Sequence, residues 1–437
     1  MVKQGVILAS GLGSRLNSEG RNEPKPLMSV GGMALIERVI VLMQSVGINH
    51  IVVVLGYRSE QMEEFFEKKR VVGIETVVND EYNKKNGISL LKAQGKLSDE
   101  PFLLSMADHV FSNDFFKIFV EKAEPALEDM DALLSVDKNI EGVFDLNDAT
   151  KVAIKDGTIT KIAKNLSDYD SVDTGLFLCN HKIFEKLEHM YSQTGDVSIS
   201  EGMMALADDG KFGAIDMTGF LWQDVDTPSM KIEAEERLID AFIASQPCKD
   251  FFLNKFFLKA SKEIAVGLLK KEHFDWKVAE TLFFVIAILI SVFSVKLEIV
   301  FPSILTVLGA TFLFHLNRLR SSIKPTDKES NNFFLFSYGV NMVISMMPAV
   351  LDTNIIAALI ILGIMVVAVS SKPMGFQQAI KAQLPEISEE ITMKFICPSF
   401  FAFIYTLLVI LPLPSIFAAI TGALFLLFYE SQHEPEE

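Results

Sequence analysis

The chain has 437 residues, 40 Lys and Arg against 56 Asp and Glu, a formal net charge of −16 and a mean hydropathy of +0.31. The length exceeds one typical domain, and the acidity excludes nucleic acid as a partner, because no basic stripe exists to track its phosphates. Three cysteines, Cys179, Cys248 and Cys397, lie too far apart for a disulfide framework or a metal-ligand spacing. The composition changes near residue 250. Residues 1–246 carry 25 Lys and Arg against 40 Asp and Glu, while residues 247–437 carry 15 against 16 and are dominated by long apolar runs. The start of the chain shows no apolar h-region, so no secretory signal is expected and the acidic part is expected in the cytoplasm.

The first predicted element is a short buried strand at 5–8. It leads into Leu8-Ala9-Ser10-Gly11-Leu12-Gly13-Ser14-Arg15 and, after a polar stretch, Pro24-Lys25-Pro26-Leu27. Gly11 and Gly13 permit a tight turn whose free N–H groups face an anion, and Arg15 and Lys25 add fixed positive charge beside it. A strand, a glycine turn and two cations suit a triphosphate. The spacing excludes a P-loop, and Leu16 stands where a dinucleotide fingerprint needs its third glycine. Further along, apolar residues at helical spacing predict helices over 34–46 and 59–69, and apolar runs predict strands at 50–55, 73–78, 102–106 and 132–136. The alternation predicts an α/β, Rossmann-like, mostly parallel sheet covered on both faces, with ligands beyond the carboxyl ends of its strands.

Asp108, in Ser105-Met-Ala-Asp-His, stands at the end of the predicted strand 102–106. A carboxylate there is a natural Mg²⁺ ligand, or a plain helix N-cap. A second acidic cluster, Trp222-Gln-Asp-Val-Asp-Thr-Pro, places Asp224 and Asp226 two residues apart, so that both point to one side of an extended segment. Thr227-Pro228 then opens a helix expected to run to residue 242. One acid from each cluster would clamp a single metal ion. His109 reads as a hydrogen-bonded structural residue.

The combination of L-A-x-G-x-G-x-R, P-K-P-L, Met-x-Asp-His and Asp-Val-Asp-Thr-Pro resembles the inositol-1-phosphate cytidylyltransferases of archaea and thermophilic bacteria, within the MobA-like NTP transferases of GT-A-like fold. Two further stretches fit: Asn79-Asp-Glu-Tyr-Asn-Lys-Lys-Asn-Gly-Ile-Ser-Leu-Leu and Val172-Asp-Thr-Gly-Leu-Phe-Leu. The resemblance covers roughly residues 3–243. It implies that Leu8, Ala9, Ser10, Gly11, Gly13, Ser14, Arg15, Lys25, Asn79, Ser89 and Asp108 bind the nucleotide. It also implies that Asn86, Asp173, Thr174 and Gly175 line the acceptor pocket, and that Asp108 with Asp224 or Asp226 holds Mg²⁺. Arg15, Lys25 and Asp108 would be the catalytic residues. The implied reaction joins CMP from CTP to a phosphorylated polyol, with inositol 1-phosphate the first candidate and phosphocholine, glycerol phosphate or a sugar 1-phosphate the alternatives.

Downstream of this domain (1–245), residues 246–277 combine Phe251, Phe252, Phe256 and Phe257 with many lysines, as an interfacial amphipathic helix does. Six apolar segments follow within 278–430, at about 278–295, 297–315, 333–350, 353–370, 394–411 and 413–429, each near the length that spans a bilayer. An acidic tail occupies 431–437. Lysines and arginines gather before the first segment and after the second and fourth, which predicts six spans with both ends in the cytoplasm. The layout resembles the bifunctional enzymes of di-myo-inositol phosphate synthesis, whose membrane half is a CDP-alcohol phosphatidyltransferase with four aspartates. From residue 276 onward this chain has only Asp327 and Asp352, so a degenerate version without that two-metal site is expected. The membrane half is then a tether beside a partner transferase in the same membrane, or, as an alternative class, a scaffold or transporter with a regulatory nucleotide-binding domain.

Overall fold

The computed structural model describes residues 2–13 and 23–245, together with 256, 259–262 and 319. Ser14, Arg15, the six apolar segments and the tail lie outside the described residues, as does most of 246–277. Among the described residues no helix is long and apolar enough to cross a membrane. The chain divides into two units after Ala241, and the fold below is that of the first.

In chain order the strands and helices are β1 (Gln4–Ala9), β2 (Ser29–Val30), β3 (Met33–Ala34), α1 (Leu35–Ser45), β4 (His50–Leu55), α2 (Ser59–Lys69), β5 (Ile74–Val78), α3 (Asn86–Ala93), β6 (Phe102–Met106), β7 (His109–Phe111), α4 (Phe115–Ala126) and β8 (Ala132–Asp137). They continue with β9 (Lys151–Lys155), β10 (Thr158–Ala163), β11 (Ser171–Cys179), α5 (Lys182–Thr194), α6 (Ile199–Asp208), β12 (Phe212–Asp216), β13 (Trp222–Asp224) and α7 (Pro228–Ser245). The five strands expected from apolar runs all form, within one residue at either end. The helix expected over 59–69 matches α2, and α7 runs three residues beyond its expected end.

Nine strands make one sheet in the order β5-β4-β1-β6-β11-β8-β12-β10-β9. β5, β4, β1 and β6 are parallel neighbours, as the alternating strand and helix pattern requires. The expectation of a mostly parallel sheet fails in the second half. β11 runs antiparallel to both β6 and β8, and β9 and β10 form an antiparallel pair, leaving β8 and β12 parallel. For β9 and β10 the reason is local: Asp156-Gly157, both at positive φ, turn β9 straight back into β10 without a crossover helix.

Alternate residues of β1 enter opposite cores. Ile7 and Ala9 pack with Val39, Met43 and Phe115 on one face, while Val6 and Leu8 pack with Ile88, Leu90 and Phe184 on the other. Helices therefore cover both faces, and every residue of β1 is buried. What remains accessible is the rim at the carboxyl ends of β1 and β6, and there the candidate site residues gather.

Candidate active site

Lys25 opens a single 3-10 turn between Pro24 and Leu27. Pro24 precedes it and Pro26 follows, so the backbone on both sides is restricted and the side chain has a fixed origin. Gly13 approaches this segment closely. Its φ is +58°, and a Cβ there would lie 2.9 Å from the Lys25 Cβ. The glycine loop and the Pro-Lys-Pro segment are thus packed together, although nine residues separate the described parts of the chain.

The two acidic clusters meet through a small antiparallel ribbon. β7 follows directly on Asp108 and pairs with β13, bringing Asp224 opposite His109. The Val225 N–H donates to the Asp108 carbonyl at 3.0 Å, which extends the ribbon by one more bond. α7 anchors the far side. The Met230 N–H donates to the Thr227 hydroxyl at 3.2 Å, and the Gln223 amide donates to the Met230 carbonyl at 3.0 Å. Acids more than a hundred residues apart in sequence therefore share one end of the sheet.

Lys25 stands between two of them. Its Nζ donates to Asp108 Oδ2 at 2.5 Å and also to Asp226 Oδ1, with only 10% of the side chain exposed. His109 Nδ1 bonds the other oxygen of Asp108 at 2.7 Å, and its ring stacks on Phe111. Burial works against the ammonium of Lys25, but the charges of Asp108 and Asp226 and their hydrogen bonds outweigh it and raise its pKa. Burial likewise pushes Asp108 up, yet Lys25 and His109 together hold it well below the usual carboxylate range. Asp224 is raised, first by burial, with His109 pulling down and the charges of Asp108 and Asp226 pushing further up.

A cavity of about 310 Å³ opens beside these groups, lined among others by Asn86, Asp108, His109, Asp173, Asp224 and Asp226. Asp173 sits on β11, where its Oδ1 accepts the Gly175 N–H at 2.7 Å. Burial raises its pKa to about 6, against that N–H and the charge of His109. Gly175 is needed as glycine. Its φ is +83°, and a Cβ would lie 2.6 Å from His109 Nε2.

Of the nucleotide-side residues, Leu8 and Ala9 end β1 as core residues. Ser10, Ser89 and Asn79 are all buried and bonded to one another. Ser10 Oγ lies 2.7 Å from Ser89 Oγ, and Asn79 Nδ2 donates to Ser89 Oγ at 2.9 Å. Gly11 has open space where a Cβ would stand. On the acceptor side Asn86, Asp173 and Gly175 reach the cavity. Thr174 corrects the expectation. Alternation along β11 turns its side chain into the core, where its hydroxyl bonds Ser135 Oγ and donates to the Ser135 carbonyl at 3.0 Å. It is absent from the cavity wall.

Of the acids expected at the metal, Asp224 and Asp226 stand in one carboxylate group. Among the described residues, one group of three carboxylates, Asp148, Asp224 and Asp226, has oxygens that all lie within 4.8 Å of one another. Asp108 shares Lys25 with Asp226 and bonds His109 through its other oxygen. Three carboxylate oxygens on partly buried groups form a hard donor set that fits a divalent cation such as Mg²⁺. Asp148 lies in the loop before β9. Lys164, immediately after β10, bonds its Oδ1 at 2.7 Å and also lines the cavity. Neither was expected. The acidic run Asp145-Leu-Asn-Asp is the only local pattern in the sequence near them.

Residues 5–193 match the MobA-like NTP transferase domain family. Among curated proteins, the Bifunctional IPC transferase and DIPP synthase of Aquifex aeolicus is 34% identical over 244 residues, 56% of this chain and 53% of that protein. The protein of the same name from Thermococcus kodakarensis is 35% identical over 238 residues, 54% of this chain and 51% of that protein. The chain thus spans about half the length of the curated relatives it matches. Among solved structures, the inositol-1-phosphate CTP transferase from T. maritima aligns with a TM-score of 0.47 at 26% identity, over 52% of this chain and 91% of that one. The family match thus falls within the first half of the chain, over the strands and helices that carry Lys25, Asp108 and Asp173.

Proposed function

We propose that this domain transfers CMP from CTP to a phosphorylated polyol, inositol 1-phosphate, releasing pyrophosphate. The observation that carries the reading is the convergence of Lys25 with Asp108, Asp224 and Asp226 at the carboxyl end of the sheet, beside a cavity of acceptor size. The curated relatives named for IPC transfer, 32% to 35% identical over this region, support the acceptor.

In this reaction a phosphomonoester oxygen attacks the α-phosphorus of CTP. A new P–O bond forms, the bond to the bridging oxygen breaks, and pyrophosphate leaves with that electron pair. The attacking phosphate has a second pKa of about 6, so at neutral pH it is already ionised and needs no general base. The protein's part is positioning and neutralisation. Lys25, with its raised pKa, keeps a full charge for the α-phosphate. The buried Ser10–Ser89–Asn79 network fixes the wall of the nucleotide side. Asn86, Asp173 and His109 face the acceptor. A divalent cation held by Asp148, Asp224 and Asp226 would neutralise phosphate charge between the two substrates.

The test is an assay of the full chain with four nucleoside triphosphates against a panel of phosphorylated acceptors, with product followed by phosphorus NMR. CTP with inositol 1-phosphate is expected to give a CDP-linked product and pyrophosphate. Turnover only with a sugar 1-phosphate, phosphocholine or glycerol phosphate would redirect the acceptor, and no turnover with any pair would end the reading.

The reading includes a tether. The charge pattern of residues 247–437 supports an integral membrane protein with six spans, the domain and the C-terminus on the cytoplasmic side, placing product release beside a partner transferase. Cysteine-accessibility labelling at Asp352 and Glu434 tests it. Only the first is expected to react from outside, and labelling of both from one side would break the topology.

A further inference from the structure

The segment that carries Lys25 continues into a small hairpin. β2 and β3 pair Ser29 with Ala34 and Val30 with Met33, and Gly31 and Gly32, at φ +61° and +79°, make the two-residue turn between them. Backbone bonds join this hairpin to Lys25. The Met28 N–H donates to the Lys25 carbonyl at 3.0 Å, and the Leu35 N–H donates to the Met28 carbonyl at 3.1 Å. A hairpin this short has little stability by itself, so its direction depends on what grips its tip. Arg38 of α1 donates to the Val30 carbonyl at 3.0 Å, and the Gly31 N–H donates to Glu235 Oε1 on α7 at 2.9 Å.

We infer that Glu235 is a positioning residue for Lys25, because it fastens the Lys25 hairpin to the same helix that fixes Asp226. This inference rests on the nucleotidyl-transfer reading for the role of Lys25. α7 is docked by Met230, Ala234, Leu238 and Ile239, all buried. Its first turn holds Asp226, whose N–H donates to Met230 Sδ at 3.3 Å. It holds β13 as well, through Gln223. The Gln223 amide donates to the Met230 carbonyl, and its oxygen accepts from Arg237 Nη1 at 3.1 Å. Glu235 stands about 7.5 Å further along the helix than Met230. One element therefore reaches both partners of the Lys25–Asp226 ion pair, the acid through Met230 and the lysine through Glu235. The Glu235 side chain is only 17% exposed, and Lys231 on the preceding turn lies 3.8 Å from the same oxygen that takes the Gly31 N–H. A carboxylate accepting a backbone N–H makes a charge-assisted bond, stronger than a neutral one. Glu235 is absent from the cavity wall, so its effect on the reaction passes through the hairpin. That effect is large where a charge must meet developing charge, since a misplacement of about 1 Å costs on the order of 10²-fold in rate.

The test reads Lys25 itself, on the full chain. Competitive labelling with limiting acetic anhydride, followed by peptide mass spectrometry, gives the acetylation of Lys25 relative to the exposed Lys155. Glu235→Ala is expected to raise that ratio severalfold. It should also lower kcat at least about tenfold while KM for CTP stays within about twofold, the mark of a group that acts in the transition state. Alanine is a good helix former, so α7 should survive the change, and circular dichroism checks it. Glu235→Asp keeps the charge but falls short of Gly31, and should behave as Glu235→Ala does. Glu235→Gln keeps an oxygen at the right reach, and should bring both the labelling ratio and kcat back toward wild type. Phe66→Leu controls for lost stability. It truncates a buried residue of α2 that takes part in none of these bonds, and should lower the melting temperature with labelling and kcat unchanged. An unchanged labelling ratio or kcat in Glu235→Ala, a Glu235→Gln protein as impaired as Glu235→Ala, or the same rise in labelling in Phe66→Leu would overturn the positioning role and leave nucleotidyl transfer standing. Absence of turnover with every nucleotide and acceptor, alongside the expected labelling differences, would remove the transfer reading and leave the grip of Glu235 on the Lys25 hairpin.

Discussion

β1, β4 and β6 run parallel with nearly every residue buried, whereas β9 and β10 pair antiparallel and are partly exposed, with Asp148 just before β9 and Lys164 just after β10 at the cavity. On the first side the polar groups, Ser10, Ser89 and Asn79, are buried and satisfied by one another. On the second, Asp148 and Lys164 are balanced by opposite charge. The nucleotide side is shaped by backbone and packing before any ligand arrives. The cavity side is held by a partly exposed charge pair.

Charge balance is broken most severely at Asp108. Asp108→Asn keeps the shape but removes the charge that Lys25 and His109 share. Transfer is expected to fall at least about 10³-fold, on the scale of losing an electrostatic group aimed at the reacting phosphates, while circular dichroism stays native. Wild-type turnover in the folded variant would take Asp108 out of the centre. Lys25→Ala leaves Asp108 and Asp226 facing each other without their cation. A loss of at least about 3 kcal/mol in kcat/KM is expected, and a loss under tenfold would reduce Lys25 to a structural counter-ion.

Packing on the nucleotide side is probed at Gly56. A Cβ there would lie 2.6 Å from the Ser10 carbonyl oxygen and from the Tyr82 Cβ. Gly56→Ala should cost about 1–3 kcal/mol of stability as overpacking and weaken nucleotide binding by displacing Ser10. Thermal denaturation with a nucleotide titration reads both, and an unchanged melting temperature would mean that this contact yields freely.

The smallest effect separates the sides by sign. Asp173 has its folded pKa raised from 3.8 to about 6. Between those values the native state binds more protons than the unfolded state, so this group lowers stability as pH rises through that window. Asp173→Asn should therefore be more stable than wild type at pH 7, by about 1–3 kcal/mol, with the gain vanishing below about pH 4. Denaturant unfolding at both pH values checks it. A gain that persists at low pH would point to packing in place of charge.

The difference between the two sides also explains what the sequence made legible. Apolar runs such as His50–Leu55 and Phe102–Met106 are continuous because both faces of those strands are covered, and such runs stand out in any chain. β10 reads Thr-Ile-Thr-Lys-Ile-Ala, with half its residues facing water, and its pattern is diluted. Motif acids such as Asp108 and Asp226 were visible because strand ends and turn residues flank them. Asp148 and Lys164 have no such frame. Their meeting depends on the turn at Asp156-Gly157, which folds β9 onto β10, and on a loop whose course no periodicity reports. Thr174 was misread for the complementary reason. It stands between two cavity residues, Asp173 and Gly175, and strand alternation sends the middle one inward.

The β7–β13 ribbon has a consequence for how the protein comes into being. It ties residues 109–111 to residues 222–224, and Asp226 lies just beyond. A chain emerging from the ribosome can form the glycine turn, the parallel strands and most of the cavity while Asp224 and Asp226 are still unmade. Its centre therefore stays incomplete until the last strand of the domain docks. Such long-range pairing is slow to form, and the full set of acids is assembled only after synthesis has passed Asp226.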